Sequence, residues 1–399
     1  MNWKAMLVKF KITGIYKAAL SAVCICFSLI VNGQSVVLKQ KIQAKLDSLC
    51  IAGKFPGLSI GIVFPDDTAL AFASGIADSS KHEAMKTSAR MMQGSVGKTY
   101  VSAIAMQLIK EGKFGLDDKI SKYLGHYSWF SRLPNAEDIT IKMLMEHTSG
   151  IMRYEFKDAF TKDLSNNPGK VWKPEELLSY IFDEKPAFKA GEGWDYADTN
   201  YIVLAMIIEQ VTGKAYYDLL YDRILHPYHL TETLPSNKRK LKGLVQGYAG
   251  KDNPFGGHSE VIADNGEFII NPQFEWTGGG IYSTTLDLAK WGKMLYEGKV
   301  FDPSMLPIME DGVPAKMLGP NTNYGLGVII RQSQKYGTIY GHSGFFPGYM
   351  TEMCYFPKYK MAFALQTNTS DYGNLKMSPL KALIEIAKLT FDDEPILKQ

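Results

Sequence analysis

The stretch MMQGSVGKTY, residues 91–100, admits two incompatible readings. Gly97-Lys98-Thr99 is the tail of a phosphate-binding loop, whereas Ser95-Val96-Gly97-Lys98 is a Ser-x-x-Lys pairing of a hydroxyl with an amine. A phosphate loop needs Gly-x-x-x-x-Gly-Lys-Ser/Thr, because its first glycine lets the backbone wrap the phosphates. Five residues before Gly97 stands Met92, and the preceding KTSARMMQG (86–94) is a poor buried strand. The nucleotide reading fails on both counts. In the other reading, a helix starting at Ser95 puts Ser95 and Lys98 one turn apart on one face. A serine hydroxyl becomes a useful nucleophile when a neighbouring base takes its proton, and a lysine serves only if its pKa is depressed. The helix N-terminus adds unsatisfied N–H groups that favour a developing oxyanion. By itself the pattern is weak, since an N-cap serine beside an exposed lysine has the same letters.

The first 33 residues differ from the rest. Lys4, Lys9, Lys11 and Lys17 are their only charges, the apolar run AALSAVCICFSLIV (18–31) follows, and Val31 and Gly33 offer small residues before Gln34. This order predicts a secretory signal peptide over 1–33, cleaved before Gln34. Fourteen apolar residues fall short of the roughly 20 that span a bilayer, which argues against an uncleaved anchor. A secreted or periplasmic location follows, with no membrane span in the mature chain. The 399 residues carry 44 basic and 41 acidic side chains, a net of +3. Without the four leader lysines the balance is 40 against 41. The basic excess therefore belongs to the leader, and no bulk attraction to nucleic acid is expected. Of four cysteines, only Cys50 and Cys354 remain in the mature chain. They could pair, but two buried thiols acting as small apolar residues is the favoured reading.

Residues 35–55 place Val37, Leu38, Ile42, Leu46, Leu49 and Cys50 at helical intervals. GLSIGIVFPDDTALAFASGIAD (57–78) then reads as two strands about a Pro65-Asp66-Asp67 turn. A helix is expected from Thr99 to Glu111. Residues 117–297 are mostly helical segments and long loops, including helices over 199–213 and 284–298 closed by glycines. Strand-like runs follow at 324–334, 335–344, 348–357 and 360–369, then a helix over about 376–391. The loop 250–265 is the expected flexible excursion. Strands, helices, then strands and a helix imply an α+β fold of α/β-sandwich type. Its antiparallel sheet is built from both chain ends, 34–116 and about 298–399, with flanking helices and a mostly helical insertion over about 117–297. One catalytic domain, 34–399, is expected.

Two further segments complete a constellation. WDYADTNY (194–201) offers Tyr196 and Asp198 before a strongly apolar helix, and GHSGFFPGY (341–349) offers His342-Ser343-Gly344 at the end of a strand. With Ser95-Val96-Gly97-Lys98, these three motifs resemble the class C β-lactamase-like branch of the penicillin-recognising serine hydrolases, in the family's order and spacing. LMEHTSGI (144–151) and TGGGIYSTTLDLAKW (277–291) look like the family's scaffold signatures. The resemblance spans about residues 40–390 and implies a β-lactamase/transpeptidase-like fold. It implies that Ser95 is acylated, that Lys98 and Tyr196 share proton transfer, and that the N–H groups of Ser95 and Phe345 form an oxyanion hole. His342 and Ser343 would orient a substrate carboxylate or carbonyl beside Gly344. The site would lie between the sheet and the helical insertion. Asp198 is read either as the N-cap of the helix over 199–212 or as a site residue. His147 and Ser149 are read as a loop brace rather than a triad, and His226 and His229 as structural, having no metal-ligand partners at sensible spacing. Neither cofactor nor metal is expected.

Class C β-lactamases usually carry Tyr-x-Asn and Lys-Thr-Gly, where this chain has Tyr-x-Asp and His-Ser-Gly. A permanent cation gives way to a histidine that is mostly neutral near pH 7, and Asp198 puts an anion where an amide would sit. These departures favour a DD-peptidase-like or esterase-like hydrolase of small molecules or peptides over a β-lactamase. A non-turnover penicillin- or peptide-binding protein is the third alternative.

Overall fold

The computed structural model describes residues 36–392 apart from 252, 254 and 256. The expected signal peptide and the new N-terminus at Gln34 lie outside the described residues, as do three positions of the 250–265 loop. Among the described residues, no helix is long and apolar enough to cross a membrane.

Helix α1 (36–53) buries Leu38, Ile42, Leu46, Leu49 and Cys50, the positions its periodicity singles out, whereas Val37 is exposed. Next come the hairpin strands β1 (Gly57–Val63) and β2 (Ala69–Asp78), then β3 (Glu83–Ala84). The hairpin turns where expected, with Asp67 at a φ of 64° and Asp66 accepting a bond from the Thr68 N–H. Three short strands, β4 (Met91–Met92), β5 (Leu234–Pro235) and β6 (Ile281–Ser283), form a separate ribbon in the order β4-β6-β5, which the sequence pattern had not suggested. Towards the other end lie β7 (Val313–Pro314), β8 (Thr322–Tyr324), β9 (Ile329–Ser333), β10 (Gly337–Phe346), β11 (Tyr349–Phe356) and β12 (Met361–Thr367).

The nine-stranded antiparallel sheet runs β3-β2-β1-β12-β11-β10-β9-β8-β7. The two chain ends meet at β1 and β12, in register from Leu58 opposite Thr367 to Val63 opposite Ala362. One expected strand, 324–334, is two: β8 and β9 are separated by a turn in which Gly327 takes a φ of 80°. A side chain at Gly327 would strike the Ser102 hydroxyl, so this turn position requires glycine.

The longer helices after α1 are α2 (Lys98–Lys110), α3 (Asp198–Thr212), α4 (Thr285–Tyr296) and α5 (Pro379–Asp392). Strand periodicity divides the sheet into two faces. Leu58, Ile60 and Ile62 of β1 and Phe363 and Leu365 of β12 join the core shared with α1 and α5. On the other face, Ser59, Gly61, Ala362 and Ala364 are small, and α4 settles close against them. A Cβ added at Gly61 would lie 2.3 Å from the Thr285 carbonyl oxygen, and Ser59 Oγ is 2.9 Å from Thr285 Oγ1. Trp291 of α4 stacks on Tyr100 of α2 at 4.3 Å and donates to Thr99 Oγ1 at 2.8 Å. Such an aromatic pair contributes about 0.5–1.5 kcal/mol beyond its buried area, and it ties the sheet layer to the helix that carries Lys98. Cys50 and Cys354 are both buried and both free.

Candidate active site

Ser95 sits in a 3-10 turn, Gly94–Gly97, and the α-helix begins only at Lys98. This corrects the expected α-helical start at Ser95 while keeping its consequence, because a 3-10 turn also brings residues i and i+3 onto one side. The turn is pressed against β10. A Cβ at Gly344 would lie 1.8 Å from the Gln93 carbonyl oxygen and 3.3 Å from Ser95 N, and one at Gly94 (φ 53°) would lie 2.6 Å from Phe345 N. Only glycines allow this crossing, which brings the backbone N–H groups of Ser95 and Phe345 close together. The Ser95 N–H belongs to the first turn of its helix and has no partner within it.

Lys98 is fully buried and donates to three oxygens: Ser95 Oγ at 3.0 Å, Asp198 Oδ1 at 2.5 Å and the Gly278 carbonyl at 2.5 Å. An ammonium has three hydrogens, so each is assigned. Burial alone would lower the Lys98 pKa, but the Asp198 charge, helped by Tyr196, overrides it and moves it up. The depressed pKa that a lysine base would need is therefore absent, and Lys98 rests as a cation. Asp198 is the first residue of α3, Ala197 is the N-cap, and no side chain caps the helix. The capping reading is thereby corrected: the carboxylate turns to Lys98 instead. The glycine run at 277–280 has a matching cause, since the Gly278 carbonyl reaches Lys98 and a Cβ at Gly97 would meet Gly279 backbone at 2.8 Å.

Tyr196 lies with its ring centroid 4.9 Å from Lys98 Nζ, and its buried hydroxyl has no hydrogen-bond partner of regular geometry. Burial raises the phenol pKa, opposed by the Lys98 charge and by the nearby Ser95 hydroxyl. His147, packed 4.2 Å from the Tyr196 ring, accepts at Nδ1 from the Asn200 amide at 2.9 Å, and Ser149 Oγ donates to Asn200 Oδ1. The HTSG segment is thus a brace that fixes the start of α3 and with it Tyr196.

His342 and Ser343 behave differently from expectation. His342 is buried, its Nδ1–H donates to the Ser343 carbonyl at 2.7 Å, and its Nε2 accepts from the Tyr324 hydroxyl at 2.9 Å. Burial, then the Lys98 charge, pushes its pKa down to about 3. Ser343 Oγ donates to Glu352 Oε2 at 2.8 Å, across the β10–β11 register, and accepts from Arg331 at 2.8 Å. The donors of both side chains are bonded inside the protein, so a substrate carboxylate or carbonyl would have to displace a bond already made.

Ser95, Tyr196, His342, Ser343, Gly344 and Phe345 line one open cleft of about 270 Å³ between the sheet and the helical region. Arg153, Glu352 and Tyr372 line it too, and sequence reasoning missed them. Arg153 stands four positions beyond Ser149, but nothing in its letters distinguishes it from a surface arginine.

The family model named Beta-lactamase matches residues 38–384. The chain belongs to the Beta-lactamase family. Penicillin-binding protein 4* of Bacillus subtilis (strain 168) is 25% identical over 315 residues, covering 77% of this chain and 67% of the relative. The teichoic acid D-alanine hydrolase of Staphylococcus aureus is 27% identical over 284 residues, covering 71% and 63%. The chain spans about 56–67% of the length of these and similar curated relatives. Among solved structures, the D-amino acid amidase of Ochrobactrum anthropi SV3 complexed with D-phenylalanine superposes with a TM-score of 0.73 at 25% identity, covering 90% of this chain and 99% of that one. A D-stereospecific amidohydrolase from a Streptomyces species shares the fold, with a TM-score of 0.72 at 23% identity, covering 86% and 96%. The chain has the α+β fold of the Beta-lactamase family.

Proposed function

We propose that this protein is an exported hydrolase that cleaves an amide or ester of a D-amino acid through an acyl-enzyme on Ser95. The observation that carries the reading is the 3.0 Å contact between Ser95 Oγ and Lys98 Nζ at the wall of an open cleft. Ser95 Oγ bonds to the scissile carbonyl carbon, and its proton enters the unit formed by Lys98, Asp198 and Tyr196. Because Lys98 rests as an ammonium, it accepts that proton only as it yields another to the Asp198 carboxylate. The carbonyl oxygen takes up negative charge against the Ser95 and Phe345 N–H groups. The leaving amine or alcohol departs with a proton from the same unit, and water then releases the acyl group. The leader-like sequence of residues 1–33 supports export, and the similarity to a teichoic acid D-alanine hydrolase and a D-amino acid amidase supports the substrate class. Ser95→Ala is expected to abolish covalent labelling by a fluorescent phosphonate or penicillin while leaving the circular dichroism spectrum unchanged. Labelling that persists in the variant would overturn the reading. The spent donors of His342 and Ser343 favour D-aminoacyl esters over nitrocefin in a comparison of turnover.

A further inference from the structure

The cleft contains a cation that the Ser95 chemistry does not use. Arg153 lines it together with Ser95 and Tyr196, and its side chain is 36% exposed. Its Nε donates to Glu155 Oε1 at 2.8 Å, and Glu155 is buried, so the base of the guanidinium is anchored. The guanidinium carbon lies 4.2 Å from the Phe156 ring centroid and 5.7 Å from that of Tyr196, which holds the group beside two aromatic rings. Neither terminal nitrogen has a hydrogen-bond partner among the described residues. An anchored guanidinium with free terminal N–H groups is preorganised for a carboxylate or phosphate, since little rotamer freedom remains to be lost on binding. The opposite wall offers no competing side-chain cation. His342 is neutral, the Ser343 hydroxyl donates its hydrogen bond to Glu352, and Arg331, which does not line the cleft, is held by Ser343 beside the Glu352 carboxyl group.

Resting on the hydrolase reading above, we infer that Arg153 is the anion receptor of the cleft and selects substrates bearing an oxyanion, carboxylate or phosphate, near the scissile bond. It takes over from the far wall a charge that the His-Ser-Gly motif does not provide. Arg153 is a specificity-determining residue and takes no part in proton transfer.

The test compares wild type, Arg153→Met and Arg153→Lys on four substrates. These are p-nitrophenyl acetate as neutral reference, p-nitrophenyl hydrogen succinate, diacetyl-Lys-D-Ala-D-Ala with its terminal carboxylate, and D-alanyl glycerol phosphate. The ratio of kcat/KM on an anionic substrate to that on the acetate is expected to fall about 10–100-fold in Arg153→Met, the range of a charge-assisted hydrogen bond. The loss should lie mainly in KM, and Arg153→Lys should recover part of it. A fall confined to the succinate and peptide identifies a carboxylate as the ligand, and one confined to the glycerol phosphate identifies a phosphate. An unchanged ratio on all three would overturn the inference, as would an equal loss on acetate and anions. Phosphonate labelling of Ser95 in the same preparations separates the two levels: labelled protein without an anion preference sinks only the role of Arg153, whereas absent labelling sinks the hydrolase reading and this inference with it.

Discussion

Replacing Asp198 by asparagine isolates the charge that holds the site in its resting protonation state. Asp198 Oδ1 lies 2.5 Å from Lys98 Nζ, and Lys98 is fully buried, so solvent screens the pair little. The carboxylate raises the pKa of Lys98 and also that of Tyr196. Removing it therefore lowers both, whichever of the two accepts the Ser95 proton. Breaking a buried ion pair by deleting one partner costs about 3–5 kcal/mol. At 1.36 kcal/mol per pKa unit, that corresponds to a downward shift of about 2–4 units in the stranded lysine. The lower end is expected, because an asparagine oxygen still accepts a hydrogen bond from the amine. The sign follows directly. In the wild type the lysine loses its proton only at alkaline pH, so the rising limb of kcat/KM against pH lies high. In Asp198→Asn the limb moves to lower pH. The assay is p-nitrophenyl acetate hydrolysis from pH 5 to 11, with the second-order rate of phosphonate labelling as a check independent of acyl release. A limb that stays in place, or moves to higher pH, would refute the account of how this site is charged.

Tyr196→Phe keeps the ring packed against His147 and removes only the hydroxyl, so turnover should drop about 10²–10⁴-fold with little change in melting temperature. A near-wild-type rate would remove Tyr196 from proton transfer. Gly61→Ala puts a methyl 2.3 Å from the Thr285 carbonyl and should destabilise the fold by about 1–3 kcal/mol in urea titration, with labelling of Ser95 retained. Wild-type stability in that variant would mean α4 is not seated on β1 as described.

Some of this protein was legible in its letters. Strand-like runs bounded by turn residues gave the hairpin at 57–78 and the C-terminal strands, because turn-forming residues punctuate the chain locally. Helical spacing at 38–50 gave α1. The Ser95, Lys98, Tyr196 and Gly344 motifs gave the members of the site, since each is a local pattern with a local cause. Arg153 was not legible, for its value lies in having two free nitrogens in a cleft built by distant segments. Nor was the fate of Asp198, which sits where a helix cap would but answers a lysine 100 residues away.

The chain order of the main strands and helices and the hydroxyl–amine pair three residues apart were legible in the sequence alone, as both depend on near neighbours, whereas the glycine crossing of residues 94 and 344 joins segments far apart in the chain. Charge was decided only in three dimensions. Whether Lys98 rests protonated, whether His342 is neutral and where the cleft keeps the open face of the Arg153 guanidinium depend on burial and on through-space distances between segments far apart in the chain.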